Sequence, residues 1–374
     1  MAVSLVCGEV SDLCIGKPAL RPLPSTATVG DALLALRSRC GGELCVSFWS
    51  ADKKTIAGRV SVVDVVCYLC SESNIADPAR ALADPVSVLL PKDSGLVCRL
   101  EPNSCILDAL DAILEGIQTL VVPIRRRKLS AGGGEEFCWL TQEDLVRHFL
   151  NSIAVISSVA ARPVASLNVV RSDFVAVRYR DPALSALPLL RRAISTQTSV
   201  AVVTDDGKLI GEISPSTLAN CDEGVAAALA ALSAGDLMAY IDCSPAPPVS
   251  AILAVKSKLK EKNLTGMLEL LDEEFSQTLV MPLSSSSDED EDTSTMNRRK
   301  PRRMRSGSYS ARMGRRSEEA IVCHPESSLV AVMVQALAHR VSYVWVVDEE
   351  YTLVGIVTFP DILKVLREQF TDSF

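Results

Sequence analysis

A seven-residue pattern that occurs four times constrains this chain more than any other feature. It reads Gly58-Arg-Val-Ser-Val-Val-Asp64, Cys138-Trp-Leu-Thr-Gln-Glu-Asp144, Gly211-Glu-Ile-Ser-Pro-Ser-Thr217 and Gly355-Ile-Val-Thr-Phe-Pro-Asp361. Each copy places a turn-type residue, two strand-type positions and a hydroxyl ahead of a helix start. From 24 to 29 residues upstream lies a matching helical start, centred on Ala32, Ala109, Ala186 and Ala331. Apolar strands at Leu44–Phe48, Leu120–Ile124, Val200–Val203 and Val344–Val347 fall between the two. Such self-similarity marks one supersecondary unit used repeatedly. Each unit reads helix, strand, turn, strand, helix, with Asp205-Asp206-Gly207 as a hairpin turn. About sixty residues cannot bury both helices alone, so the units are expected to pair. The first body should lie near residues 16–151, and the second should be assembled from 167–222 and 319–374.

The hydroxyl-x-x-acid spacing has a purely structural explanation. In a capping box, Ser or Thr accepts from the amide three residues on, and the acid there reaches back to the cap amide. Ser61/Asp64, Thr141/Asp144 and Thr358/Asp361 fit that spacing. The third unit has Thr217 in place of the acid, and Pro215 suits the first helical position, which needs no amide donor.

Composition bounds the function. With 374 residues, 48% apolar and 22% charged, most of the chain can fold, and its length suits two bodies of roughly 150 residues. A net charge of −8 argues against nucleic acid as a partner, because counterion release needs a basic face. Met1 to Leu13 holds Glu9 and Asp12 but no Lys or Arg, unlike a signal or transit peptide. The expected location is the cytoplasm, with the nucleus as an alternative. The nearest apolar run, Ile153 to Ala161, is cut by Arg162 and Pro163, short of the roughly 18 residues of a membrane span. Twelve cysteines are expected to be mostly buried thiols. Three histidines, His148, His324 and His339, imply no metal site. No phosphate-binding loop, zinc-protease motif or nucleophile elbow occurs, so no catalytic residue is expected and the chain reads as not an enzyme. Cys67-Tyr-Leu-Cys70 has redox-like spacing but falls inside a helix, where core packing is the better reading.

Between the third and fourth units, Glu223–Tyr240 and Ser250–Phe275 carry helical periodicity and are expected to be two helices capping the second body. From Ser284 an acidic run to Asp292 is followed by the basic block 298–305. Charge blocks of such low hydrophobicity are expected to be disordered. The basic block reads as a solvated linker balancing its acidic neighbour, with an import signal or a contact for an acidic partner as alternatives. Ser306 and Ser308 each follow an Arg by three residues and are candidate phosphorylation sites.

Leu353-Val-Gly-Ile-Val-Thr-Phe-Pro-Asp361-Ile-Leu and Leu209-Ile-Gly-Glu-Ile-Ser214 closely resemble the strand-to-helix motif of CBS domains, named after cystathionine beta-synthase. The first two units match less closely. Thr198-Ser-Val-Ala-Val-Val, Leu232-Ser-Ala-Gly-Asp-Leu-Met-Ala-Tyr240 and Ala338-His-Arg-Val-Ser-Tyr-Val-Trp-Val-Val347 resemble plant four-CBS proteins related to gamma subunits of the SNF1/AMP-activated kinase family. The implied fold is α/β (α+β): four CBS repeats forming two tandem pairs, or Bateman modules, with a helical and disordered insertion. The repeats are bounded at 16–76, 84–151, 167–222 and 319–374, with the helical insertion at 223–278 and the charged linker at 282–318.

The resemblance implies a regulatory protein with no required cofactor and with AMP, ADP or ATP as candidate regulatory ligands. Its candidate partners are SNF1-related kinase subunits, and a homodimer through CBS pairs is a further expectation. In this family the motif's acid commonly holds a ribose hydroxyl pair. That nominates Asp64, Asp144 and Asp361, with Ser61, Thr141 and Thr358 beside them. Nucleotide-binding gamma subunits often lead into the first hairpin strand with His or Arg, but the corresponding residues here are Glu43, Thr119, Ser199 and Tyr343. His339 and Arg340 are the candidate phosphate ligands, so an adenosine ligand is expected in the cleft of the second pair, dependent on Asp361. The alternatives are a ligand-independent scaffold, or a redox-linked regulator of thioredoxin-type partners, as implied by shorter plant CBS relatives.

Overall fold

The computed structural model describes residues 6–24, 26–38, 45–50, 55–90, 97–124, 135–218, 221, 223–244, 247–280 and 320–371. The charged linker with Ser306, Ser308 and the block 298–305, and the residue Glu43, lie outside these. Helix α1 (Val10–Leu13) precedes the first repeat, which comprises α2 (Val29–Ser38), β1 (Cys45–Ser50), β2 (Thr55–Ser61), α3 (Val62–Leu69) and α4 (Pro78–Ala83). The second comprises β3 (Val97–Arg99), α5 (Ile106–Leu114), β4 (Thr119–Ile124), β5 (Glu136–Thr141), α6 (Gln142–Asn151) and α7 (Ile153–Ala160). The third runs through β6 (Ala176–Arg178), α8 (Leu187–Thr196), β7 (Val200–Val203), β8 (Leu209–Ile213) and α9 (Pro215–Leu218). Four further helices follow: α10 (Gly224–Ala231), α11 (Ala234–Asp242), α12 (Val249–Glu261) and α13 (Thr265–Val280). The fourth repeat has β9 (Val322–Cys323), α14 (Leu329–His339), β10 (Tyr343–Val347), β11 (Leu353–Thr358) and α15 (Phe359–Thr371).

All four repeats use one small sheet. A short leading strand pairs parallel with the first hairpin strand, and the hairpin itself is antiparallel: β3-β4-β5, β6-β7-β8 and β9-β10-β11. In repeat one Leu23 supplies the leading position, bridging Phe48 beside the β1–β2 hairpin. At the β7–β8 turn Gly207 has φ +83°, a conformation that favours glycine.

The motif's first position is a strand residue and not the turn residue its composition suggested. Gly58, Cys138, Gly211 and Gly355 all lie inside the second hairpin strand. At Gly355 close approach explains the glycine: an added Cβ would stand 2.5 Å from Val170 Cγ1 and 2.8 Å from the Arg171 carbonyl oxygen. Arg171 and Ile356 exchange two backbone hydrogen bonds of 2.9 Å across that contact.

Sheets join the members of each pair. Ile56, Val121 and Phe137 form an apolar cluster between repeats one and two, with Trp49 and Trp139 packed on it. Between repeats three and four, Leu209 and Leu353 donate backbone amides to Tyr351 and Gly207. Glu212 is buried in that interface and accepts from the Tyr343 hydroxyl at 2.9 Å and the Trp345 indole at 2.7 Å.

The pairs are not two separate bodies with a core each. One core combines repeats one and three, and the other combines repeats two and four. Helix α3 packs on α8, α9 and α10, whereas α6 packs on α14 and α15, where the Phe149 and Phe370 rings stand 5.5 Å apart. Apolar residues cover most of α3's circumference because it is enclosed between the pairs.

Each of the two helices expected in the insertion is broken in two. Leu232 turns extended, and Ser233 caps α11 by accepting from the Asp236 amide at 3.2 Å. Asn263 adopts φ 55° between α12 and α13. The four helices also do more than cap the second pair. All eight residues of α10 are buried, α10 touches α3, and α13 packs on α4, so the insertion ties repeat three to repeat one. Among the described residues no helix is long and apolar enough to cross a membrane.

Candidate functional site

The hydroxyl–acid pairs form the capping contacts that their spacing suggests. Asp64 Oδ2 accepts from the Ser61 amide at 2.7 Å and the Ser61 hydroxyl at 2.6 Å. Asp144 Oδ2 accepts from the Thr141 amide and hydroxyl at 2.8 Å each. Asp361 Oδ2 accepts from the Thr358 amide at 3.2 Å and hydroxyl at 2.5 Å. In repeat three Thr217 Oγ1 replaces the carboxylate, accepting from the Ser214 amide at 3.1 Å. Capping engages one carboxylate oxygen, so it leaves the ribose role open to the other.

The surroundings of the three acids differ. Asp144 is paired with Lys17 Nζ at 2.6 Å. Asp361 lies near Arg171, whose guanidinium is itself bonded to Asp173 at 2.8 and 2.5 Å. Asp64 forms no salt bridge to a described residue, and burial pushes its carboxyl above the ordinary range, with the Ser61 hydrogen bonds and Arg59 partly offsetting this. Burial likewise raises Asp361, opposed by Thr358 and Arg171.

Asp64 and Ser61 line a cavity of about 560 Å³ at the junction of all four repeats. Repeat one contributes Arg59, repeat two Gln118, repeat three Arg191, and repeat four Arg340, Ser342 and Tyr343. Three arginines thus line the cavity beside a single acidic residue, although the whole chain is acidic. Val88, Leu89, Val97, Ile194 and Val341 give it apolar walls. Asp144, Asp361, Thr141, Thr358 and His339 are not among its lining residues. The geometry therefore joins Arg340 to Asp64, and not to Asp361 as the sequence suggested.

A polar chain centred on Gln118 crosses the cavity floor. Gln118 Oε1 accepts from Arg59 Nη2 at 3.1 Å, and its Nε2 donates to the carbonyls of Ser195 and, at 3.4 Å, Ile194. Gln197 Nε2 donates to the Gln118 carbonyl at 2.8 Å, and the Ser342 hydroxyl donates to the Gln197 carbonyl at 2.5 Å. Arg191 Nη2 donates to the Cys67 carbonyl at 3.1 Å. Arg340 ends α14 with φ 54°, which turns the chain into the cavity wall.

Arg59 and Arg191 were missed in the sequence. Arg59 had a signal, because it stands two positions before Ser61 on one face of β2. Arg191 had none, because it reaches the cavity only through the packing of α8 on α3. The residues leading into β4, β7 and β10 are buried, so cations reach the cavity from other positions.

Cys67 and Cys70 are core residues. Both are about 3% exposed, burial pushes the Cys67 thiol up to about 12 and raises Cys70 further, and Cys70 faces the Ala226 carbonyl. Such thiols are poor nucleophiles. Among the described residues no cluster of His, Cys, Asp and Glu is arranged to hold a metal.

Comparison with known proteins agrees with this architecture. The CBS domain family model matches residues 164–223 and 316–368, the third and fourth repeats. The Arabidopsis thaliana CBS domain-containing protein CBSX5 is 42% identical over 398 residues, covering 98% of each chain. The SNF1-related protein kinase regulatory subunit gamma-like PV42b of the same plant is 24% identical over 96% of this chain and 94% of its own. A crystal structure from Methanocaldococcus jannaschii, described as that of a candidate archaeal homologue of γ-AMPK, superposes with a TM-score of 0.58 at 14% identity, covering 96% of this chain and 99% of the other. Its likeness extends to the four-repeat fold. With identity to CBSX5 running the length of the chain, this protein belongs to the CBS domain-containing proteins.

Proposed function

We propose that this chain is a non-catalytic regulatory subunit whose central cavity takes one adenine nucleotide. The observation that carries the reading is the convergence of Asp64 with Arg59, Arg191 and Arg340 on one cavity shared by the four repeats. A ribose hydroxyl pair donates to the free oxygen of Asp64, the phosphates lie toward the guanidinium groups, and the base rests on the apolar walls. Planar guanidinium forks suit phosphate oxygens, and the apolar lining with a few convergent polar groups has the form of a small-molecule site. Binding at a junction of four repeats biases their packing in proportion to the ligand's preference for one arrangement. The similarity to gamma-like subunits supports a SNF1-related kinase complex as the partner that reads this bias.

A ligand-independent scaffold is the second reading. It is favoured by Arg59 and Arg191 already being bonded to Gln118 and to the Cys67 carbonyl. Calorimetric titration of the full chain with AMP, ADP, ATP and S-adenosyl compounds separates the two. Saturable binding of an adenine nucleotide is expected; heat of dilution alone for all of them favours the scaffold.

A further inference from the structure

Two thiols far apart in sequence meet where the segment ahead of repeat one docks on repeat two. Val6, Val10 and Cys14 of that segment are buried in the core of repeats two and four, and Cys138, in the middle of β5, belongs to the same core. Backbone hydrogen bonds fix the approach from both sides. Ile106 donates to the Gly8 carbonyl and Val10 to the Ser104 carbonyl, each at 2.9 Å. Beyond Cys14, the Leu20 amide donates to the carbonyl of Phe137, the neighbour of Cys138, at 2.8 Å. Cys14 ends α1, and its sulfur accepts a hydrogen bond from the Cys138 thiol. That bond holds the Cys14 thiol below the ordinary thiol range, against burial and with help from the Lys17 ammonium. Lys17 is itself fixed, its Nζ 2.6 Å from Asp144 Oδ2. A cation and a hydrogen-bond donor beside a thiol favour the thiolate, which is the reactive form. Cys14 is 6% exposed and Cys138 fully buried, so an oxidant reaches Cys14 first. The Cys67–Cys70 pair on α3 is the opposite case, because burial raises both of its thiols.

We propose that Cys14 and Cys138 form a peroxide-sensitive dithiol that closes to a disulfide and locks residues 6–17 onto repeat two. The Cys14 thiolate attacks one oxygen of hydrogen peroxide and the O–O bond breaks. Cys14 becomes a sulfenic acid, and the departing hydroxide collects the proton that Cys14 gave up, leaving as water. The Cys138 sulfur then attacks the Cys14 sulfur. The S–O bond breaks, and the hydroxide released takes the Cys138 proton to form a second water. Two thiols are oxidised by two electrons in all, and one peroxide is reduced to two waters. A dithiol reductant reverses the step by thiol–disulfide exchange. The inference is independent of any ligand in the central cavity.

The test treats the folded full chain with hydrogen peroxide and digests it without reductant. Wild type and Cys7→Ser, which lacks the exposed thiol of the same segment, are compared. Mass spectrometry is expected to show Cys14 and Cys138 peptides joined with the loss of two hydrogens. The link disappears with dithiothreitol and does not form in Cys14→Ser or Cys138→Ser. Hydrogen exchange of residues 6–17 is expected to slow on oxidation of wild type and not of Cys138→Ser. Absence of the link in the folded chain, its formation only after unfolding in urea, or its formation without slower exchange overturns the proposal. So does sulfinic acid at Cys14 with Cys138 still reduced, which would show that the two sulfurs do not reach bonding distance.

Discussion

Gln118 ties down Arg59, the cation whose charge partly offsets the burial of Asp64. Its Oε1 accepts from the Arg59 guanidinium at 3.1 Å, while its Nε2 reaches across to helix α8 of the other pair. A neutral amide therefore links repeats one, two and three where a ligand would enter, and Gln197 and Ser342 extend the link to repeat four. Gln118→Ala leaves Arg59 and the carbonyls of Ser195 and Ile194 without that partner. The expected loss is about 0.5–1.5 kcal/mol, the net worth of a typical hydrogen bond, since the partners left behind keep access to water, and urea denaturation measures it.

Glu212→Ala removes the acceptor for both Tyr343 and Trp345 in the sheet interface between repeats three and four. Two buried donors left unpaired cost about 2–4 kcal/mol. Glu212→Gln keeps one acceptor oxygen but sets an amide NH2 against the second donor, so a smaller loss is expected. Thermal melts of the two variants, followed by circular dichroism, give the order.

Gly355→Ala drives a Cβ into Val170 and into the backbone of Arg171, which cannot yield without moving the segment that leads into the second pair. Overpacking of this kind costs about 1–3 kcal/mol. Gly58→Ala, at the same motif position, meets only the end of the Leu90 side chain at 2.9 Å and should cost less. Denaturant midpoints of the two variants test the contrast.

The raised carboxyl of Asp64 gives binding and stability opposite pH dependences. Its ordinary value is 3.8, and burial shifts it upward in the folded chain. Between those two values the folded state holds the proton more tightly than the unfolded state, so this group's contribution to stability increases as pH falls through the window and is lost as pH rises. Nucleotide binding needs the ionised acceptor, so affinity declines over the same fall. Asp64→Asn should remove this group's share of both slopes, checked by AMP titrations and denaturation midpoints as pH falls from neutral toward the ordinary carboxyl value of 3.8.

The repeat was legible because its signals are local. A hairpin, a cap and an apolar strand each sit within a few residues, and the hydroxyl–acid spacing of Ser61/Asp64, Thr141/Asp144 and Thr358/Asp361 marked the helix starts. Which acid faces a cavity was not legible. That depends on α3 meeting α8 and on Lys17 folding back over repeat two, contacts made by residues more than a hundred positions apart. The breaks at Ser233 and Asn263 were hidden because apolar periodicity continues through both. The glycine of the motif misled for a related reason: at Gly355 it records a neighbouring strand's approach, which composition reads as a turn.

The most direct measurement of the account is AMP affinity of the folded full chain carrying Asp64→Ala beside one carrying Asp361→Ala. Loss of charged hydrogen bonds to ribose is worth roughly 1.5–3 kcal/mol, about ten- to a hundredfold in affinity. The account predicts that fall for Asp64→Ala and near-native affinity for Asp361→Ala. Equal binding by Asp64→Ala and wild type, or a fall confined to Asp361→Ala, would contradict it.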